Sequence, residues 1–173
     1  MLEKNKIILF NFTDAFMFKV FKELNKKNDV ILYGNLKKED ELKYKNKFLS
    51  EKSFLLQNAF KLQTDFILTN NFLKEFAELE LLFYKLTDRI FIKPISHNKK
   101  QSYFYKLLKY WLRLFEKNNF KLLVFESHPH SPTDIIPFFI AKKKGIKVSI
   151  LKSTSIPNFL LFDSEIYKEN KYF

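Results

Sequence analysis

Short apolar runs alternate with stripes at helical spacing from the start of this chain. Lys6 to Phe12 (KIILFNF) is an apolar run of strand length, closed by Thr13 and Asp14, residue types that suit the N-cap of a helix. From Ala15 to Lys27 the spacing predicts that helix, with Phe16, Val20, Phe21 and Leu24 on one face and Lys19, Lys22, Lys26 and Lys27 elsewhere. Asp29 to Asn35 (DVILYGN) reads as a second buried strand, ending at Gly34. Leu36 to Lys52 is charged and weakly patterned, a loop running into a helix near Ser50 to Leu62. Thr64 to Asn70 fits a short strand or a helix end equally well by period. Asn71 to Leu86 carries one apolar stripe of Phe72, Phe76, Leu79, Leu82, Phe83 and Leu86. Ile90 to Ile92 reads as a further short strand stopped by Pro94, and His97 falls in a polar loop. Ser102 to Lys117 has the strongest helical pattern, with Phe104, Leu107, Leu108, Trp111 and Phe115 on one side.

The richest stretch is Leu122 to Leu151. A strand from Phe120 to Glu126 leads into the polar cluster Glu126, Ser127, His128 and His130, and a helix follows, whose start Pro137 places near Thr133 or Asp134. Gly145 closes that helix in the left-handed conformation, and Ile146 to Leu151 returns as the next strand. Repeated strand–helix–strand order predicts an α/β fold, a Rossmann-like open parallel sheet flanked by helices, in a single domain over residues 1–173.

Composition narrows the function classes. The chain has no cysteine, which excludes thiolate metal sites and thiol nucleophiles. With only Gly34 and Gly145, it holds neither a G-x-G-x-x-G turn nor a Walker loop, so a bound NAD or a P-loop nucleotide is unsupported. No apolar run reaches the ~20 residues of a membrane span, and Met1 to Lys6 lacks a signal-peptide core, so a cytoplasmic protein is expected. The net charge is +12, yet every basic residue except Arg89 and Arg113 is lysine, which argues against nucleic-acid readout. A lysine-rich face still suits peripheral contact with an anionic inner-membrane face.

In open parallel sheets ligands bind beyond the carboxyl ends of the strands. That rule gathers Asn11, Thr13 and Asp14 from the first strand and Glu126, Ser127, His128 and His130 from the later one. Lys152, Ser153 and Thr154 are expected beyond the neighbouring strand end. Asp134 or Thr133 at the helix start is either an N-cap or, for Asp134, a catalytic acid or base. The H-x-H pair is a weak metal signal and matches no ligand set with Asp134, and Ser127 lies outside G-x-S-x-G. General base catalysis on a sugar hydroxyl by His130, Asp134, His128 or Glu126 asks least of the chain.

The segment from Phe125 to Ile166 resembles the N-terminal domains of GT-B-type bacterial surface-polysaccharide glycosyltransferases of the capsule and O-antigen kind. The residues that carry this are Pro129-His130, Asp134, Ala141-Lys142, Gly145-Ile146-Lys147 and Ser155-Ile156-Pro157. The resemblance implies an acceptor-side domain with His130 or Asp134 as base, a sugar or lipid-linked sugar as acceptor, and no cofactor bound by this chain. The nucleotide-sugar donor is expected on a second domain, absent before Phe173, so this chain alone is expected to be incomplete for catalysis. Two other classes stay open: a non-catalytic basic module that binds an anionic surface or partner protein, and a small metal-dependent hydrolase using His128 and His130.

Overall fold

The computed structural model describes residues 4–59, 61–62, 66–91, 93–153 and 160–163. Its centre is a six-stranded sheet: β1 (Lys6–Phe10), β2 (Asp29–Gly34), β3 (Phe48–Ser50), β4 (Phe120–Phe125), β5 (Lys147–Ser153) and β6 (Leu160–Asp163). The order across the sheet is β3-β2-β1-β4-β5-β6. The first five are mutually parallel, and β6 runs antiparallel to β5. This is the Rossmann-like α/β fold that the strand–helix alternation predicts.

Helices α1 (Ala15–Lys27), α5 (Ala77–Ile90), α6 (His97–Lys117) and α7 (Pro132–Lys143) form the major flanking elements; α2 (Lys38–Lys43), α3 (Leu56–Ala59) and α4 (Asn70–Lys74) are short. The two-residue period of the strands divides the core into two layers. Ile7, Leu9, Val30 and Leu32 pack with Met17, Phe18 and Phe21 of α1. Ile8, Phe10, Tyr33, Leu123 and Phe125 face the other way, toward Phe83 of α5, Phe104 and Trp111 of α6, and Ile136 and Phe138 of α7. The thicker layer is aromatic: Phe10 stacks on Phe125 at 4.2 Å, and Phe54 stacks on Trp111 at 5.3 Å. α7 packs against both α5 and α6, and every residue from Pro132 to Phe138 is buried. That explains a helix that is apolar nearly all round.

Several elements depart from expectation for identifiable reasons. α7 begins at Pro132, ahead of Thr133 or Asp134, because Ser131 supplies the cap: its Oγ accepts the Asp134 N–H at 3.2 Å. Pro137 therefore lies in the second turn, leaving the Thr133 carbonyl without its i→i−4 donor. The stripe from Asn71 to Leu86 is broken between α4 and α5, where Phe76 turns inward and the Lys143 ammonium lies 5.1 Å from its ring centre. His97 opens α6, with its ring edge-on to Tyr84 at 5.2 Å. Phe48–Ser50 is a strand where a loop is expected. α5 runs through Ile90, Phe91 is outside any strand, and Ile92 falls outside the described residues. Of the Thr64 to Asn70 stretch, residues 66–69 are irregular and Asn70 starts α4, while 64 and 65 fall outside the described residues. Gly145 has φ +66°, as a left-handed helix exit requires. Among the described residues, no helix is long and apolar enough to cross a membrane.

Candidate functional site

The strand order reverses between β1 and β4: the chain builds outward from β1 through β2 to β3, then returns to β1's other side. Backbone just past both strand ends lines the resulting crest. Glu126 N donates to Phe10 O at 3.1 Å, which holds the β4 exit against the β1 exit. On the other side, Asn11 N donates to Tyr33 O at 2.8 Å. Asn11 adopts φ +66°, which asparagine tolerates better than most residues. Its carbonyl accepts the Thr13 N–H at 2.7 Å, closing a tight turn into α1. Gly34 is required beside this turn, because a Cβ there would lie 2.7 Å from Thr13 Cγ2, at a φ of +154°.

Two carboxyl groups meet across the reversal. Asp14 caps α1, its Oδ1 accepting Phe16 N at 2.8 Å and Met17 N at 2.9 Å. Glu126 lies within hydrogen-bonding reach of Asp14, and its pKa is raised, first by burial and then by the Asp14 charge and that hydrogen bond.

A third carboxyl sits under the first turn of α7. Asp134 is 4% exposed. Burial raises its pKa from 3.8 to about 6; the Glu51 carboxylate adds to that, while Ser131, His130 and Thr133 act in the opposite sense. Desolvation thus outweighs the favourable helix start. The Tyr33 phenol at the end of β2 is buried without a hydrogen-bond partner. Its pKa is pushed well up by burial and then by Asp134. Thr133 Oγ1 acts on it in the opposite sense and is itself engaged with Ser131 Oγ at 2.8 Å and Asp134 Oδ1 at 3.4 Å. Tyr103 on α6 is also raised, by burial first and then by Glu51 and Asp134, and its hydroxyl donates to Phe54 O at 2.8 Å.

His130 is exposed, and its Nδ1 lies 2.7 Å from His128 O. A carbonyl only accepts, so Nδ1 carries the hydrogen in the neutral ring and the Nε2 lone pair is left open. His128 is half-buried and Ser127 exposed. The crest therefore brings together Asn11, Thr13, Glu126, Ser127, His128, His130 and Asp134. Lys152 and Ser153 are placed differently from expectation: β5 continues through both, in register with Leu161 and Leu160 of β6. Thr154 lies outside the described residues. Among the described residues, no group of three or more His, Asp or Glu converges on a metal position.

The sequence places Asp14 on this edge, at the first strand's exit, but does not point to Glu51 or Tyr33; Glu51 follows β3, which the sequence pattern does not show.

The molecule is thus an open-sheet α/β protein with a polar crest at its switch point. No protein-family model matches the chain, and neither a curated protein nor a solved structure matches it.

Proposed function

We propose that this chain is the acceptor-side domain of a glycosyltransferase that builds bacterial surface polysaccharide, with the crest taking the acceptor sugar. The observation that carries the reading is the pinned His130 ring. In this reading its open Nε2 removes the proton from an attacking hydroxyl. Asp134 is too buried to reach a ligand and lies under the helix start beside this loop. The neighbouring charges that shift Glu126 and Asp134 are carboxylates and one histidine. Such a surface repels phosphate and suits the hydroxyls of a neutral sugar, which carboxylates bind well. The donor nucleotide-sugar, in this reading, is held by a second domain or chain, and the acceptor is a sugar or a lipid-linked sugar.

The test is amide chemical-shift mapping during titration with acceptor oligosaccharides. Saturable shifts confined to Asn11, Glu126, His128 and His130 are expected; shifts that are absent, or that map elsewhere, overturn the reading. Wherever transfer is measurable, His130→Ala is expected to lower turnover by roughly 10²- to 10⁴-fold. Its melting temperature should be unchanged, since the side chain is exposed.

A further inference from the structure

The opposite edge of the sheet holds a different kind of site. A cavity of about 240 Å³ opens at the amino ends of β1 and β4, lined by Lys4, Asn5, Lys6, Lys117, Asn119 and Lys121. Four lysines and two asparagines thus line one small concavity, with no Asp or Glu in its wall. Among the described residues Lys4, Lys117 and Lys121 form no ion pair, and Lys6 lies 3.9 Å from an Asp29 that it shares with Lys47 at 3.5 Å. Capping the carboxyl end of α6 does not account for these lysines. Asn118 already does that, donating to Leu114 O from its backbone N at 3.1 Å and its side-chain Nδ2 at 2.9 Å. Asn118 and Asn119 in turn orient two of the ammoniums: Lys6 Nζ donates to Asn118 Oδ1 at 3.0 Å and Lys121 Nζ to Asn119 Oδ1 at 3.2 Å. That leaves the Asn119 amide hydrogens as donors beside the cluster.

We infer that this cavity binds a phosphorylated ligand, its phosphate groups held between Lys4, Lys6, Lys117 and Lys121. Lysine holds phosphate as a point charge without needing the fork geometry of arginine, so a phosphate or pyrophosphate group fits a cluster built of lysine alone. The five residues of β1 place the two edges about 17 Å apart, at ~3.3 Å per residue. Occupancy here is therefore independent of the acceptor reading, and either one can fail without the other.

The probe is inorganic pyrophosphate, titrated into the protein by calorimetry at fixed ionic strength, with amide shifts recorded in parallel. Saturable binding with shifts at Asn5, Lys6, Asn119 and Lys121 is expected. Lys117→Gln/Lys121→Gln, two exposed positions, is expected to weaken binding at least tenfold. The equally charged control Lys19→Gln/Lys85→Gln on α1 and α5 should leave it within twofold. Absence of saturation, or equal weakening by both pairs, overturns the site in favour of diffuse attraction to net positive charge. Sedimentation with phosphatidylcholine vesicles, with and without phosphatidylglycerol, separates the two sources of phosphate. Capture by the anionic vesicles that falls only in Lys117→Gln/Lys121→Gln identifies a lipid headgroup; unaltered vesicle behaviour alongside lost pyrophosphate binding identifies a soluble phosphate ester.

Discussion

The two ends of the parallel strands carry opposite chemistry. At the carboxyl ends burial raises the pKa of Glu126 and Asp134, and a carboxylate neighbour adds to each rise, Asp14 for Glu126 and Glu51 for Asp134. At the amino ends of β1 and β4, four lysines share a cavity. The net charge of +12 hides this division. An average over the chain suggests one basic surface with one kind of partner. The strand direction instead sorts the charges into an edge suited to uncharged or cationic groups and an edge suited to anions.

The largest expected effect that separates the two edges is pH-dependent stability at Asp134. A carboxyl raised from 3.8 to about 6 keeps its proton in the native state where the unfolded chain has lost it. Its contribution is therefore most favourable at low pH and declines as pH rises through the window from about 4 to about 6. The difference is about 3 kcal/mol for a fully buried group. Asp134→Asn should remove that decline, so that denaturant curves of variant and wild type diverge above pH 6 and converge near pH 4. Parallel curves across that range would break the contrast. The lysine pair Lys117→Gln/Lys121→Gln should show no such pH dependence.

Next in size is Gly34→Ala, which puts a methyl group 2.7 Å from Thr13 Cγ2 at φ +154°. A loss of about 1–3 kcal/mol is expected from overpacking and backbone strain. Amide shifts should concentrate at Asn11 to Asp14 and spare Lys117 to Lys121; a disturbance spread evenly over both edges would blur the division. Smaller still is Tyr33→Phe. It deletes a buried hydroxyl without a hydrogen-bond partner, so stability should stay within about 1 kcal/mol of wild type or rise slightly. A large loss would mean that the phenol is a necessary part of the Asp134 environment. The smallest effect belongs to Lys117→Gln/Lys121→Gln, which at exposed positions should change stability by no more than about 0.5 kcal/mol.

The parts of the fold that were legible in the sequence are those with local causes. β1, α1 and β2 follow from unbroken apolar runs and from Asp14 as a cap, and β4, α7 and β5 from the same signals plus Gly145. β3 has three half-buried residues, Phe48 to Ser50, too few to show a period. The break at Glu75 and Phe76 leaves the apolar stripe in phase, so spacing alone hides it. The start of α7 was misplaced because Pro137 was weighed more heavily than the Ser131-Pro132 pair, a stronger start signal. The crest was legible through the rule that ligands meet strand carboxyl ends, which placed Asn11, Thr13, Glu126, His128, His130 and Asp134 together. Partners that depend on long-range register were not: Glu126 meets Asp14 only because β4 pairs with β1, and Glu51 approaches Asp134 only through β3.

The central position of β1 has a consequence for how the chain is assembled. β1 pairs on one edge with β2, which follows it closely in the chain, and on its other edge with β4, where Lys6 is in register with Phe120. That closure spans roughly five times more chain than the first, and the logarithmic growth of loop entropy makes it about 1.5 kcal/mol costlier. Until β4 arrives, Ile7 to Phe10 present an open, apolar strand edge. Refolding should then be limited by docking of β4, and mutations in the β1–β4 seam should slow folding more than equally destabilising ones in α1. In the interval the same seam is the segment most exposed to pairing with another chain.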